Sequence, residues 1–324
     1  MTENFTGYSE GGDVSGTDGD RNEMTQPTRC GFASLVGAPN AGKSTLLNRL
    51  VGAKVSIVSR KAQTTRALVR GVAIDGVAQI ILVDTPGIFR PKRRLDRAMV
   101  ASALAGAADS DVIALLIDAR RGVDEEVEAI LAQLAESRIP KILVLNKIDL
   151  IARDTLLALA ATLNAREKFE ETFMVSALTG DGVDDLRRAL GRRMQPSPWL
   201  YPEDQLSDAP LRLLAAEITR EQIYDRLHDE LPYQSTVETD SWTQQKDGSA
   251  RIEQTIYVAR EGQKRIVIGE GGRTIKAIGQ AARREIAEAA EQPVHLFLFV
   301  KVRENWQDDP ERYREMRLEF PKGE

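Results

Sequence analysis

The chain contains very little cysteine and histidine. Its 324 residues include one cysteine, Cys30, and two histidines, His228 and His295. A single cysteine excludes an internal disulfide and is typical of a reducing compartment. Two histidines so far apart exclude a histidine-rich metal site and a relay of histidines. We therefore expect both to be ordinary surface or sheet residues.

Long apolar runs are also missing. No run reaches the roughly 18 apolar residues that a membrane-spanning helix needs. The N-terminus is polar and acidic, and it lacks the basic and apolar regions of a secretory signal. We expect a cytoplasmic protein without a spanning helix.

The net charge of −5 is concentrated in one segment. Residues 1–24 contain six acidic residues and one basic residue, Arg21, which sums to −5, so the rest of the chain is formally neutral. Residues 1–28 are also rich in glycine, serine and threonine and have almost nothing to bury. This composition predicts a disordered acidic tail, with an acidic arm that mimics RNA as the alternative.

Apolar runs alternate with amphipathic stretches between residues 29 and 195. The predicted strands are 32–36, 79–83, 112–117, 141–145 and 172–175, and the predicted helices include 95–108, 123–136, 154–166 and 182–193. This alternation predicts an α/β domain with a mixed, mostly parallel sheet and helices on both faces. Such sheets bind ligands at the carboxyl ends of their strands.

The pattern changes after a proline-rich stretch, which predicts a linker at 196–209. We expect a second, α+β domain at 210–305 and a C-terminal extension at 306–324 that adds a final helix. The predicted elements of the second domain are a helix at 211–230, strands at 235–242 and 250–259, helices at 261–267 and 273–290, and a strand at 294–303. Their order is α-β-β-α-α-β.

A phosphate loop, residues 37–45, follows the first predicted strand. Its sequence GAPNAGKST fits G-x-x-x-x-G-K-[ST] without a mismatch. The glycines let backbone N–H groups converge on phosphate oxygens, Lys43 supplies a cation to the β and γ phosphates, and Ser44 offers a hydroxyl to Mg²⁺. The predicted nucleotide contacts here are Gly37, Asn40, Ala41, Gly42, Lys43, Ser44 and Thr45. The alternative is a glycine-rich turn that binds no ligand.

A second segment identifies the base as guanine. Asn146, Lys147 and Asp149 follow the strand at 141–145. The Asp149 carboxylate can accept hydrogens from N1–H and the 2-amino group of guanine, a pair that adenine lacks. We expect Asn146 to brace the loop and the Lys147 stem to lie across the base. Ser176 and Ala177 would bring a backbone N–H towards the guanine O6, and an ATPase is disfavoured.

Two further segments predict a metal site beside the γ-phosphate. Asp84 ends the strand at 79–83 and would approach Mg²⁺ through water, while the N–H of Gly87 would contact the γ-phosphate. In the threonine loop, residues 60–67, Thr65 would close over Mg²⁺, with Thr64 as the alternative. The predicted metal set is Ser44, Thr65 and Asp84. The predicted catalytic set is Lys43, Thr65 and Gly87.

Together these five segments resemble a translation-factor-type GTPase domain, with one departure. Ile88 follows Gly87, where Ras-like switches place a glutamine that orients the attacking water. We therefore expect slow intrinsic hydrolysis. Asn40 resembles the asparagine that binds K⁺ in some related GTPases, and an amide that braces the loop is the alternative.

A second glycine turn lies between the two late helices. Ile268, Gly269 and Gly272 fit the I-G-x-x-G signature of KH domains, in which the backbone approaches nucleic-acid phosphates. Apolar residues recur on the second helix at a spacing of three or four, at Ile275, Ile278, Ala282, Ile286 and Ala289. A groove of this kind accommodates about four unpaired nucleotides. The element order agrees with type II KH topology, and a plain α+β domain with a helix–turn–helix is the alternative.

The predicted RNA contacts surround this turn. They are Lys264, Arg265, Ile268, Gly269, Glu270, Gly271, Gly272, Arg273 and Lys276. Glu270 occupies a position where a basic residue is expected, at a cost of ~1 kcal/mol beside a phosphate in water. The flanking cations outweigh it, so we expect modest and salt-sensitive affinity.

The chain resembles the Era family of bacterial GTPases over about residues 29–305. The resemblance rests on GAPNAGKST, RKAQTTR, DTPG, NKID, the SA pair, ELPY at 230–233 and IGEGG. It implies hydrolysis of GTP to GDP with Mg²⁺, binding to the 3′ region of 16S rRNA, and a role in maturation of the small (30S) ribosomal subunit. It also implies peripheral contact with the inner face of the membrane for some members, and no obligate protein partner.

Two other functions fit the same residues. One is a different GTPase, of ribosome assembly with paired GTPase domains or of tRNA modification. The other is an RNA-binding module whose nucleotide is structural and is never hydrolysed.

Overall fold

The computed structural model describes residues 27–59, 61, 64–89, 91, 93–316 and 318–321. Of the predicted tail, residues 1–26 lie outside this range, as do residues 60, 62 and 63 of the threonine loop. Across the described part of the chain, no helix has both the length and the apolar character needed to cross a bilayer.

The N-terminal domain is built on one twisted sheet. Its strands are β1 (Arg29–Gly37), β2 (Val69–Asp75), β3 (Ala78–Asp84), β4 (Val112–Asp118), β5 (Lys141–Asn146), β6 (Thr172–Val175) and β7 (Gln195–Pro196). The order is β2-β3-β1-β4-β5-β6, with β7 paired to β1. Only β2 and β7 run antiparallel to their neighbours, so the sheet is mixed and mostly parallel, as predicted. The sequence did not predict the edge strand β2.

Helices cover both faces of this sheet. They are α1 (Lys43–Val51), α2 (Arg94–Ala108), α3 (Glu125–Leu134), α4 (Arg153–Arg166) and α5 (Val183–Arg193). Side chains of β4 alternate between two buried clusters, with Leu116 packing beneath α1 and α5 and Leu115 beneath α2, α3 and α4. A strand with both faces buried is therefore apolar throughout, which is why VIALLI has no polar alternation.

The C-terminal domain has the predicted α-β-β-α-α-β order. Its elements are α6 (Leu211–Arg226), β8 (Ser235–Gln244), β9 (Ala250–Val258), α7 (Glu261–Ile268), α8 (Arg273–Ala289) and β10 (Val294–Val302). The sheet order is β10-β9-β8, with β10 parallel to β9 and β9 antiparallel to β8. Ile278, Ala282 and Ile286 of the predicted apolar stripe are fully buried.

Residues 195–208, here named the strap, run along the N-terminal domain. They include most of the predicted linker. The side-chain oxygen of Gln79 accepts hydrogen bonds from the backbone N–H groups of Leu200 (2.9 Å) and Tyr201 (3.0 Å). Val72 of β2 donates its N–H to the Leu206 carbonyl at 2.9 Å. The strap therefore extends the N-terminal domain instead of connecting two domains loosely.

The C-terminal extension returns to the N-terminal domain. It contains α9 (Pro310–Glu315), the expected final helix. Trp306, Tyr313 and Leu318 are buried against Leu95 and Met99 of α2. The chain therefore joins the two domains twice, through the strap and through this return.

Candidate nucleotide site and nucleic-acid interface

At two positions of the phosphate loop, neighbouring atoms leave no room for any residue larger than glycine. A Cβ atom on Gly37 would lie 2.4 Å from the Leu116 carbonyl oxygen. A Cβ atom on Gly42 would lie 2.2 Å from the Asn146 amide nitrogen, and Gly42 has a φ of +97°. The loop thus lies directly on β4 and on the loop that follows β5. The N-terminus of α1 follows Gly42, and unpaired N–H groups at such a terminus favour an anion.

Lys43 lies inside the phosphate loop. Its ammonium donates to the carbonyl oxygens of Gly37 at 2.9 Å and Ala38 at 3.0 Å. Burial lowers the pKa of Lys43 to about 8, against the opposing charge of Asp84. A buried cation with only carbonyl partners is well matched to an incoming phosphate.

The three predicted metal ligands converge at the end of β3. Asp84 Oδ2 accepts from Ser44 Oγ at 2.6 Å, and Thr65 Oγ1 lies 2.9 Å from Ser44 Oγ. Burial raises the pKa of Asp84. Its other oxygen, Oδ1, is buried and has no hydrogen-bond partner among the described residues. Hydroxyl and carboxylate oxygens with an unpaired buried oxygen fit the hard ligand set of Mg²⁺.

The structure distinguishes the two candidate threonines. Thr65 Oγ1 contacts Asp84 Oδ2 at 3.4 Å, whereas Thr64 Oγ1 donates to the Lys61 carbonyl at 2.9 Å. Ser56, which the sequence did not single out, also donates to Asp84 Oδ2, at 2.9 Å. The arrangement therefore favours Thr65 over Thr64 as the ligand.

The base side of the site is braced by Asn146. Its amide nitrogen donates to the Ala41 carbonyl at 2.8 Å, and its amide oxygen accepts from the Ala177 N–H at 3.0 Å. One side chain thus joins the phosphate loop to the segment that contains Ser176. Asp149 is exposed in a short 3₁₀ turn at Ile148–Leu150, where its carboxylate is accessible to a base.

Asp118 is a residue of the site that the sequence analysis missed. Lys147 has a left-handed φ of 67°, and its ammonium donates to Asp118 Oδ2 at 2.7 Å and to the Asn40 carbonyl at 2.6 Å. Asp118 therefore holds the lysine stem in place. The signal was present, because an acidic residue directly follows the buried run VIALLI at the carboxyl end of a parallel strand.

The Ile88 side chain is enclosed by apolar residues. It is buried beneath α2 in the cluster that contains Ala103 and Ala107. The backbone N–H of Ile88 donates to the Gly37 carbonyl at 3.2 Å, and its side chain shares the buried cluster with Ala38 of the phosphate loop. Gly87 fits closely, since a Cβ there would lie 3.0 Å from Pro39.

Two buried arginines connect the threonine loop to the C-terminal domain. Arg66 donates to the carbonyl oxygens of Ser235 at 2.9 Å and Tyr233 at 3.2 Å. In the opposite direction, Arg220 of α6 donates to the Thr64 carbonyl at 2.6 Å. Burial lowers the pKa of Arg66. Thr65 thus lies between two residues that the C-terminal domain holds.

The contact with the C-terminal domain also includes residues just before the threonine loop. Ile57 is 2 % exposed and packs among Ile218, Ile252 and Ile286 of the C-terminal domain. Lys54 forms an ion pair with Glu221 and another with Glu285. The residues just before the threonine loop are therefore also held by the C-terminal domain.

The second glycine turn has the backbone of a phosphate-binding turn. Gly269, Gly271 and Gly272 have φ values of 73°, 60° and 77°. A Cβ on Gly269 would lie 2.2 Å from Thr274 Oγ1, whereas open space surrounds Gly271 and Gly272. The turn therefore needs glycine at Gly269 for packing and leaves its tip free for a ligand.

The predicted RNA contacts lie around this tip. Arg265, Glu270, Gly271, Arg273 and Lys276 are exposed, and Lys264, Ile268, Gly269 and Gly272 are half-buried. Arg273, the first residue of α8, forms an ion pair with Glu270. The negative charge of this carboxylate is therefore partly neutralised.

Comparison with known proteins extends over both domains. A model of the 50S ribosome-binding GTPase family matches residues 32–147, and a KH domain model matches residues 230–307. GTPase Era of Afipia carboxidovorans is 69 % identical over 300 residues, which cover 93 % of this chain and 97 % of the relative. The chain belongs to the Era family of GTPases. Era of Rhizobium meliloti is 64 % identical and covers 91 % of this chain and 95 % of its own length.

Solved Era structures have the same fold. One holds Era with MgGDPNP and nucleotides 1506–1542 of 16S ribosomal RNA, and it matches with a TM-score of 0.84 at 39 % identity, covering 89 % of this chain and 98 % of that one. A variant of Aquifex aeolicus Era bound to GDP·AlF4⁻ gives the same values. The predicted fold, a GTPase domain followed by a KH domain, is confirmed.

Proposed function

We propose that this Era-family protein is a GTP-hydrolysing switch that binds the 3′ region of 16S rRNA through its KH domain and assists assembly of the 30S subunit. In this proposal residues 29–195 form the GTPase domain and 210–305 the type II KH domain. The Era structure with MgGDPNP and 16S rRNA supports the proposal, because the chain matches it over both domains.

One observation supports the switch. Thr65 contacts Ser44 and Asp84, while the adjacent Thr64 carbonyl and Arg66 side chain are bonded to the C-terminal domain. In this proposal, a backbone movement of Thr65 towards or away from a metal would also shift Arg66 against its carbonyl partners. A ligand shifts such an equilibrium only by binding one state more tightly, and GTP with Mg²⁺ would do so through Thr65.

The chemistry requires charge neutralisation and positioning. Mg²⁺, when bound, neutralises the phosphate oxygens; Ser44, Thr65 and Asp84 would hold it. Lys43 places a second cation at the β and γ phosphates, and the N–H of Gly87 donates to the γ-phosphate. The buried Ile88 side chain offers no hydrogen bond to water, so we propose slow intrinsic hydrolysis. A K⁺ ion at Asn40 is a further proposal.

Guanine selection follows from Asp149. Its exposed carboxylate accepts the two guanine hydrogens, while Asn146 and Lys147 fix the walls of the base pocket. Ser176 and Ala177 complete it on the O6 side. Because adenine cannot offer the same pair of hydrogens, its triphosphate should bind orders of magnitude more weakly.

The RNA surface centres on the second glycine turn. Gly269, Gly271 and Gly272 let the backbone approach phosphates, and Lys264, Arg265, Arg273 and Lys276 supply positive charge around them. Ile268 lines the groove, and Glu270 limits affinity. We also propose a cytoplasmic location with peripheral contact at the inner face of the membrane, as in some members of the family.

The deciding experiment measures turnover and RNA binding on the same preparation. GTP hydrolysis is followed with and without K⁺ and 30S subunits, and crosslinks to rRNA are mapped with a non-hydrolysable GTP analogue. We expect slow turnover that subunits or K⁺ accelerate, and crosslinks near the 3′ end of 16S rRNA. No turnover under any condition would favour the RNA-binding module with a structural nucleotide, for which the buried Ile88 is the supporting observation.

A double variant separates the functions of the two domains. Changing Gly269 and Gly272 to Asp should abolish RNA binding and leave GTP affinity intact, because the turn is remote from the phosphate loop in the sequence and makes no contact with it. Equal RNA affinity in the double variant would refute the KH part of the proposal.

A further inference from the structure

The outer face of β10 presents two exposed aromatic rings. Phe297 is 41 % and Phe299 is 48 % exposed, and they are the only aromatic residues classed as exposed in the part of the chain that the structure describes. They are two residues apart on one side of the strand, so their Cα atoms are about 6.6 Å apart. The alternate residues Leu296, Leu298 and Val300 face the domain core. Neighbouring exposed rings on a folded surface indicate a binding site.

Basic groups are interleaved with these rings. The guanidinium of Arg251 lies over the Phe297 ring, with Cζ 4.2 Å from the centroid. Lys301 is exposed and follows Phe299 on the same side of β10. We name Arg251, Phe297, Phe299 and Lys301 the aromatic strip.

Acidic groups limit the directions in which a bound polyanion could extend from the strip. Glu253 lies beside Phe297 on β9 and is paired with Arg251 at 2.7 Å. Asp240, at the irregularity in β8, accepts from Thr255 Oγ1 at 2.6 Å, and Glu238 pairs with the same Thr255 across the sheet. A polyanion would therefore be favoured along β10 and disfavoured across the sheet towards β8.

We propose that the aromatic strip binds unpaired RNA bases by stacking, as an extension of the groove beside the second glycine turn. The inference rests on the proposed RNA-binding function of the KH domain. Exposed aromatic rings interleaved with cations are the arrangement that single-stranded nucleic acids use, with bases on the rings and phosphates at the cations.

The open edge of β10 separates the strip from that groove. In the described sheet β10 is an edge strand, and its inner face packs against α8, where Gly279 lies within contact distance of Leu298. The helices that flank the glycine turn thus lie on one face of the edge strand β10, and the aromatic strip lies on its opposite face. An RNA strand that leaves the groove has to pass round the open edge of β10 to reach Phe297.

The test compares RNA of different lengths. The probes are an RNA with the sequence of nucleotides 1506–1542 of 16S rRNA and the shortest fragment of it that still binds. In the variant with Phe297→Ala and Phe299→Ala, we expect the long RNA to bind at least roughly thirtyfold more weakly, since two stacked bases each contribute to affinity. The short fragment should bind as it does to the unchanged protein. Fluorescence anisotropy gives both affinities.

Two control variants and one charge variant test whether the lost affinity is due to the rings and cations of the strip. Phe297→Leu with Phe299→Leu keeps apolar bulk but removes the flat rings, so it should lose nearly as much affinity as the alanine variant. Leu178→Ala removes another exposed apolar side chain, 71 % exposed, from the N-terminal domain and should leave RNA affinity unchanged. Lys301→Gln should reduce the slope of log affinity against log salt by about 0.7.

The outcomes separate this inference from the function on which it rests. Unchanged long-RNA affinity in the alanine variant, together with lost affinity in the Gly269 and Gly272 variant, overturns the strip and leaves the KH function in place. Full affinity in the leucine variant overturns stacking, because apolar bulk without flat rings would then be enough for the RNA. Failure of the unchanged protein to bind either RNA overturns both proposals.

Discussion

Replacement of Arg66 by alanine should separate the KH domain from the threonine loop. Arg66 is 5 % exposed and has hydrogen bonds to the Ser235 and Tyr233 carbonyls at 2.9 and 3.2 Å. Its contacts with Tyr224 Oη and the Pro232 carbonyl, at 3.3 and 3.4 Å, are long, so we count only the first two. The guanidinium also lies 5.5 Å from the Trp306 ring centroid.

The expected magnitude follows from these contacts. A hydrogen bond from a charged donor contributes about 1.5–3 kcal/mol net, so two contribute at least about 3 kcal/mol to docking. That is a factor of about 150 in the docking equilibrium. Arg66→Lys keeps the charge but loses the two-pronged geometry and should have an intermediate effect.

Resonance energy transfer between the domains measures the change. Dyes are placed at Leu178→Cys, on the GTPase domain, and Lys246→Cys, on the KH domain; native Cys30 is 5 % exposed and should resist labelling. With a non-hydrolysable GTP analogue, Arg66→Ala should broaden the transfer distribution and weaken the preference for GTP over GDP. Arg212→Ala is the matched control, because Arg212 donates to two carbonyls within the KH domain, at 2.9 and 3.0 Å.

An unchanged distribution in the Arg66→Ala protein would refute the reasoning. It would mean that the apolar contact of Ile57 holds the domains together without help from the arginine. A change of equal size in the Arg212→Ala protein would also refute it, because the effect would then not depend on the domain contact.

Three further variants test the two sites. Asp149→Asn should weaken GTP binding by about a hundredfold, the loss of two hydrogen bonds in the base pocket, and favour xanthosine triphosphate; calorimetry with both nucleotides decides. Asp118→Ala should weaken GTP binding about tenfold at unchanged saturated turnover, with no additional loss when Lys147→Ala is combined with it; additive losses would contradict the pairing. Gly269→Ala should lower both the melting temperature and RNA affinity, because its Cβ meets Thr274 at 2.2 Å. Gly271→Ala has open space and should cost only about 1–2 kcal/mol of stability; equal effects of the two alanines would contradict the packing argument.

Much of the nucleotide site could be predicted because parallel strands align their carboxyl ends. Because β1, β3 and β5 are parallel strands of one sheet, the residues that follow them must lie at one edge. The convergence of Ser44 with Asp84, and of Asn146 with Ala41, is a consequence of that rule. Asp118 obeys the same rule, so it too was predictable from the strand it ends.

The domain contact could not be predicted in the same way. Arg66 is 169 residues from Ser235 in the sequence, and its partners are backbone carbonyls, which any residue type provides. The neighbouring sequence does not explain why the ELPY motif has these residues. In the structure, the turn that contains the motif presents the carbonyl oxygens of Pro232 and Tyr233 to Arg66. Edge strand β2 was missed because its segment VRGVAID has a short apolar run broken by glycine and arginine.

The strap also sets how the two domains can move. It is fastened to β2 up to Ser207, whose hydroxyl donates to the Arg70 carbonyl at 2.8 Å, and Arg70 forms an ion pair with Asp208 at 3.5 Å. Since α6 begins at Leu211, the pivot between the fastened chain and the helix is Ala209 and Pro210, and the proline ring fixes one of their torsions. The chain joins the two domains a second time where Trp306, Tyr313 and Leu318 pack against α2, so the KH domain can turn about this pivot only if that return shifts with it. Two connections would therefore hold bound RNA within a narrow range of positions relative to the GTPase domain.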